Sequence, residues 1–273
     1  MTDLARPRLA MAALIGIFVA WAPAGAAPAT GDPKEIRARA ERGDAGGAYE
    51  LGLYYSEGPE EARDVPEALR WFRKAAEAGN APAMTELGHH YRLGREVAVD
   101  GAEAARWYRR AAKAGHGPAM FSLGLIHTLG QLVKRDDAEA LRWFRRGAEA
   151  GHASAMNSVG VMYSNGQGVA RDHVQALRWY KRAAEAGDAG GMVNLGARHA
   201  RGEGTTTDFA EAMRWYLRAA EAGNATAMHN IGFMYAEGQS VARDEAEAKR
   251  WYRRAADAGH EGSRMLLDGP GLD

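Results

Sequence analysis

The sequence predicts an all-α protein, a solenoid of stacked helix–turn–helix repeats 36 residues long. Three observations predict it. Trp71, Trp107, Trp143, Trp179, Trp215 and Trp251 recur at one interval of 36. Gly52, Gly88, Gly124, Gly160, Gly196 and Gly232 keep the same interval, and so do Gly43, Gly79, Gly115, Gly151, Gly187, Gly223 and Gly259. A fixed period in this range marks an array in which each unit buries its apolar face against the next.

The N-terminus precedes the array. Arg6 and Arg8 form a short basic stretch, Leu9 to Ala22 is an apolar run, and Ala24-Gly25-Ala26 supplies small residues at a cleavage position. This order of parts predicts a secretory signal peptide over 1–26. The run is shorter than the roughly 20 residues a membrane-spanning helix needs. The expectation is therefore an exported protein, periplasmic or secreted, with no stable membrane insertion after cleavage. Removing the segment takes away Arg6, Arg8 and Asp3 and leaves a net charge of −1, against zero for the whole chain.

Residues 27–43 read as a linker and an N-terminal capping helix, because 33–42 align with the later part of a repeat but lack its tryptophan. Six units without insertion or deletion follow over 44–259. Residues 260–273 read as a partial C-terminal capping repeat and tail, in which the Leu-Gly step has become Leu267-Asp268. Atypical end units are expected where an array meets solvent.

Each unit reads as two helices. In 80–115, Asn80 is a candidate N-cap, and Met84, Leu87 and Tyr91 fall on one helical face. Gly94 ends the first helix. The second starts at Asp100 and stops before Gly115, a position where glycine reaches the left-handed conformation without a Cβ clash. Asp64, Asp100, Asp136, Asp172, Asp208 and Asp244 are each followed three residues later by Glu or Gln, which predicts a capping box at every second helix. Six copies of one Asp-x-x-[Glu/Gln] pattern, five of them carboxylate pairs, point to capping rather than to acid–base catalysis. The Trp followed by Phe or Tyr is expected to supply the large packing surface. Small residues such as Ala75-Ala76 and the glycine of Leu87-Gly88 let helices approach closely.

The chemistry the chain could carry is limited. Cysteine is absent, so neither disulfides nor thiolate metal sites are available. The balanced charge argues against nucleic acid as the main partner. No H-E-x-x-H, G-x-S-x-G, S-x-x-K or P-loop pattern occurs. His89-His90 is the one adjacent histidine pair, while His116, His152 and His260 occupy cap positions, and His127 and His199 replace a first-helix tyrosine. No catalytic residue, metal or cofactor is expected.

Unit 152–187 carries Ala155-Met156, Val159-Gly160, Met162-Tyr163, Gly166, Gly168-Val169, Asp172, Ala176, Trp179-Tyr180, Ala183-Ala184-Glu185 and Gly187. With these residues the chain resembles the Sel-1-like repeat family, a relative of the tetratricopeptide repeat, over about 44–267. The resemblance implies antiparallel helix pairs in a right-handed α/α superhelix that serves as an adaptor for other proteins. It also implies that first helices line the concave face. The inward positions would then be Tyr49, Thr85, Phe121, Asn157, Val193 and His229 in one row. Leu53, His89, Leu125, Val161, Ala197 and Phe233 form the other, with Arg92 adding a charge. Unlike the framework, these residues differ between units. They suit an extended peptide or a partner helix, or else they pack against the next unit. The expected function is a non-catalytic protein-binding scaffold in the cell envelope. The alternatives are a β-lactam or cell-wall hydrolase, as described for cysteine-rich relatives, or a secreted factor acting on host proteins.

Overall fold

The computed structural model describes residues 32–130 and 132–268, so the signal segment lies outside the described residues. A short helix α1 (Pro33–Glu41) precedes six helix pairs: α2 (Ala45–Glu57) with α3 (Val65–Glu77), α4 (Ala81–Leu93) with α5 (Gly101–Lys113), and α6 (Gly117–Leu129) with α7 (Asp137–Glu149). The series continues with α8 (Ala153–Asn165) and α9 (His173–Glu185), α10 (Ala189–Arg201) and α11 (Phe209–Glu221), then α12 (Ala225–Glu237) and α13 (Glu245–Asp257). α14 (Glu261–Asp268) closes the array. The described residues contain no strand. Each helix packs on its pair-mate and on the next pair. First helices approach one another, α6 on α8 and α8 on α10, more closely than any two second helices do. That asymmetry gives the α/α solenoid an inner face of first helices.

One close approach fixes each pair. The aromatic residue after the tryptophan is fully enclosed, as Phe72, Tyr108, Phe144, Tyr180, Tyr216 and Tyr252 are all buried. Its ring lies on the glycine of the first helix. A Cβ on Gly88 would come within 2.4 Å of the Tyr108 ring, and one on Gly124 within 2.4 Å of the Phe144 ring. The glycine is therefore a seat for a ring, which sharpens the expectation that it allows close approach. The tryptophans corrected the expectation more. Trp71 and Trp215 are buried, but Trp107, Trp143, Trp179 and Trp251 are only half-buried. They cover the core from outside rather than filling it. A lysine or arginine three residues on lies over each indole, from Lys74 at 4.1 Å to Arg146 and Arg218 at 4.5 Å from the ring centre. Such stacking places the aliphatic stem on the ring and the charge in water.

The capping box is half of one. Each aspartate Oδ1 accepts from the backbone N–H three residues later, at 2.8–3.0 Å in all six pairs. The reciprocal half is not formed. The aspartate's own N–H donates at 2.9–3.0 Å to the carbonyl of Tyr55, Tyr91, His127, Tyr163, His199 or Tyr235, closing the loop between paired helices. With that donor taken, the glutamate turns outward. Glu67 and Glu211 accept from the Trp71 and Trp215 Nε1 at 2.9 and 2.8 Å, and Glu67, Glu103, Glu139, Glu211 and Glu247 pair with the arginine at i+3. These exposed pairs add little to stability individually.

The turns between pairs reuse one solution. Gly79 adopts φ +92°, its N–H donates to the Ala76 carbonyl, and the Asn80 N–H donates to the Ala75 carbonyl. This is a Schellman ending, and Asn80 also caps the next helix through the Ala83 N–H at 2.9 Å. Within pairs, the first unit departs from the rest. Gly58 is extended rather than left-handed, and a 3-10 turn at Glu60–Ala62 carries the chain across. The Thr205-Thr206-Thr207 loop keeps the common course, with Gly202 and Gly204 at positive φ. Loops also fit the preceding unit. A Cβ on Gly101 would come within 2.5 Å of the Leu132 Cβ, so the bulky loop residue requires a bare helix start beneath it.

Two alanine substitutions separate these roles. Nothing lies within 4 Å of a Cβ on Gly115, whose φ is +83°. Gly115→Ala should therefore cost only the left-handed penalty, about 1–2 kcal/mol. Gly124→Ala drives a Cβ into the Phe144 ring, which outweighs the gain in helix propensity, so it should cost more, roughly 1–3 kcal/mol or above. Urea unfolding of both variants checks the order, and equal costs would refute the ring seat.

Candidate functional site

The inner face is built by the first helices. Its two rows flank the seat glycine, so their side chains lie beside the enclosed ring. Tyr49 packs on Phe72 with ring centres 6.0 Å apart, His89 on Tyr108 at 5.5 Å, Phe121 on Phe144 at 5.7 Å and His229 on Tyr252 at 5.3 Å. Among the sequence-predicted residues, Leu53, Thr85, His89, Phe121, Leu125 and Val161 are buried. Tyr49, Arg92, Asn157, Val193, His229 and Phe233 are half-buried. The first set packs within the array. The second set carries the side-chain surface that this face presents.

The row preceding the glycine also reaches the next unit's cap residue. Thr85 Oγ1 lies 2.8 Å from His116 Nδ1. The Phe121 and His152 rings are 4.9 Å apart, and the His229 and His260 rings stack at 4.3 Å. Asn194 Nδ2 donates to Asn157 Oδ1 at 2.9 Å across the same step. Sequence reasoning placed the histidines at cap positions but missed this pairing. The signal was present: the residues 31 positions before His116, His152 and His260 are Thr85, Phe121 and His229, the partners found here.

Two cap histidines do the work of an aspartate. His152 Nδ1 accepts from the Ala155 N–H at 3.2 Å, and His260 Nδ1 accepts from the Ser263 N–H at 3.0 Å. His116 makes no such bond and holds Thr85 instead. An accepting Nδ1 requires the neutral ring. The environment agrees. Burial lowers the pKa of His116 and His152, with smaller opposed contributions from nearby charges. Burial alone lowers His260. His229 is pushed down to about 4, by burial first and by His260 second. The Ser263 hydroxyl, fully buried, lies 2.8 Å from His229 Nδ1 and 3.0 Å from His260 Nδ1. The arrangement is a neutral polar plug under α14.

Where the first loop meets the second, the inner face opens into a cleft of about 310 Å³. Ser56, Glu57, Glu86, His89, His90, Leu93, Arg95 and Glu96 contribute to its lining. The described residues hold no group of three or more His, Cys, Asp or Glu placed to bind a metal ion, and none of their helices is long and apolar enough to cross a membrane.

A uniform framework carrying a varied inner face defines a helical-repeat scaffold. The chain belongs to the Sel1 repeat family: the Sel1 repeat model matches residues 45–80, 81–116, 117–152, 153–188, 189–224 and 225–260. Its phase begins one residue later than the glycine-bounded units. The chain is similar to the Sel1 repeat protein from Oxalobacter formigenes, with 32% identity over 83% of this chain and 100% of that one, and a TM-score of 0.74. It is also similar to c5321, a protective antigen present in uropathogenic Escherichia coli strains displaying an SLR fold. There the identity is 32%, the coverage 87% of this chain and 58% of that one, and the TM-score 0.55. Immunity protein Pa5087 from Pseudomonas aeruginosa shares the fold at 18% identity, covering 83% of this chain and 87% of that one, with a TM-score of 0.55. No curated protein matches. Sel1 repeats are scaffolds that mediate protein–protein interaction and are generally non-catalytic.

The histidines give a pH prediction. Below pH 6.5 the unfolded chain takes up protons at positions that the folded chain keeps neutral, so stability is full above 6.5 and falls as pH drops. For His229 the loss runs from 6.5 to about 4. Melting temperature should fall across that window, and His229→Gln should flatten part of the fall. An unchanged slope in the variant would remove His229 from the account.

Proposed function

We propose that the protein is a non-catalytic adaptor of the cell envelope that holds a peptide or partner helix along its inner face. One observation carries this reading. The framework repeats through six units, while the half-buried residues on the first helices differ at each step: Tyr49, Arg92, Asn157, Val193, His229 and Phe233. These positions, unlike the seat glycines and enclosed rings, do not repeat, and they leave side-chain surface open on the inner face. Mixed apolar and polar side chains on a concave surface suit recognition of an extended or helical segment. The envelope location rests on the N-terminal order of a basic stretch, an apolar run and Ala24-Gly25-Ala26.

Two experiments test this. Cross-linking in cells followed by identification of captured proteins should recover a defined partner. Changing Asn157, Val193 and Phe233 together to alanine should reduce capture while circular dichroism remains helical. Undiminished capture by a folded triple variant would place the binding surface elsewhere. Mass spectrometry of the protein from the extracytoplasmic fraction should show an N-terminus at Ala27, and an intact Met1 in a cytoplasmic fraction would end the envelope assignment.

A further inference from the structure

The cleft between the first two units carries a more specific reading, which rests on the adaptor function just proposed. It exists where the array is irregular. Gly58 is not left-handed and the 3-10 turn Glu60–Ala62 replaces the common loop course, while the next loop keeps that course, with Glu96 at φ +56° where Gly168, Gly204 and Ser240 are also positive. The volume of about 310 Å³ is at the small end of ligand-binding clefts.

Its walls combine two kinds of surface. Leu93, 40% exposed, stands among the lining residues with Val65. Leu129 holds the same place one unit on and is 50% exposed, whereas Glu57, Asn165, Arg201 and Glu237 hold it elsewhere. An apolar step therefore runs from the cleft onto the next unit. The charged lining is mostly acidic: three carboxylates, Glu57, Glu86 and Glu96, against the single guanidinium of Arg95. Glu86 also lies 3.4 Å from His89 Nδ1. His90 adds no charge at neutral pH, since burial lowers its pKa, and its Nδ1–H donates to the Arg95 carbonyl at 3.1 Å, pinning the loop edge. Burial raises the Glu57 carboxyl, and the Glu86 charge raises it further, against a smaller lowering by Arg95. Two carboxylates thus face one space and repel. A cation entering between them relieves that repulsion, and a neutral or acidic group does not.

We propose that this cleft receives one arginine or lysine side chain of a bound protein segment, with a neighbouring aliphatic residue of that segment resting on Leu93 and Leu129. The apolar step suits the aliphatic neighbour, and the excess of carboxylates selects the cation.

The test uses short synthetic peptides in a glycine–serine background carrying a Leu-Arg-Leu step, with Leu-Gln-Leu and Leu-Glu-Leu counterparts, and fluorescence polarisation against the purified protein. The arginine peptide should bind about tenfold more tightly than the glutamine one, the difference one charge-assisted contact makes. Glu57→Gln combined with Glu86→Gln should erase that preference while leaving the melting temperature near that of the parent. Leu93→Ser should weaken both peptides equally. Equal binding of the three peptides, no binding of the arginine peptide, or an unchanged preference in the double variant would each overturn the proposal. A failure of this kind leaves the adaptor reading intact if the cross-linking experiment still captures a partner through Asn157, Val193 and Phe233. Failure of that capture, with the arginine preference present, would instead relocate the binding surface to this cleft.

Discussion

The ring on the glycine is the contact on which the rest depends. Phe72, Tyr108, Phe144, Tyr180, Tyr216 and Tyr252 each lie where a side chain on the facing first helix would stand. Removing that side chain draws the paired helices together and encloses the ring. The enclosed ring then defines where everything else goes. The tryptophan one residue earlier points to the outer edge of the same helix. The residues three before and one after the glycine flank the ring on the inner side. The aspartate at the start of the second helix is brought under the carbonyls ending the first, and so its N–H closes the loop instead of completing a capping box. A single steric fact thus sorts outer, core and inner surfaces in each unit.

The outer surface follows from half-buried tryptophans. An indole left partly in water needs a polar cover, and the neighbouring turns supply it. Lys or Arg three residues later lies over every ring, and the glutamate four residues earlier pairs with arginine in five units; in the two units whose indole is buried, Trp71 and Trp215, it also accepts from Nε1. The spacings E-x-x-R-W and W-x-x-[K/R] are helix-face spacings. Polar groups cover the outer indoles on the same turns in unit after unit, so this surface is a polar cladding over apolar rings.

How much of this was legible depended on whether a feature repeats. Period, helix count and helix ends could be read because six copies vote on each position. The division between Trp and the aromatic after it could not, because both are large and adjacent. Their difference lies in which side of the helix meets Gly88 or Gly124, a matter of rotation and not of composition. The half-formed capping box was illegible for a related reason. The pattern Asp-x-x-Glu states which groups could bond, and the competing Tyr91 carbonyl is placed by tertiary structure alone. On the inner face the sequence named two rows that flank the seat glycine. It could not say that Thr85 and Phe121 are engaged by His116 and His152 while Asn157 and Val193 remain half-open, since that depends on how far one unit rotates onto the next.

The cap histidines show why the inner face cannot be a simple copy of the framework. Each first helix begins beside the preceding unit's inner row, so a change at one position constrains the other. Asp188 caps its own helix and accepts from the Ser154 hydroxyl across the unit step. His152 caps its helix and stacks on Phe121. An anionic cap therefore tolerates polar neighbours, and a neutral imidazole tolerates an aromatic one. The contact does not dictate the inner residue, since histidine caps face Thr85, Phe121 and His229 alike. The array can thus alter the chemistry of its inner face without moving a ring off its glycine. A recognition surface can then differ from step to step while the superhelix that presents it stays the same.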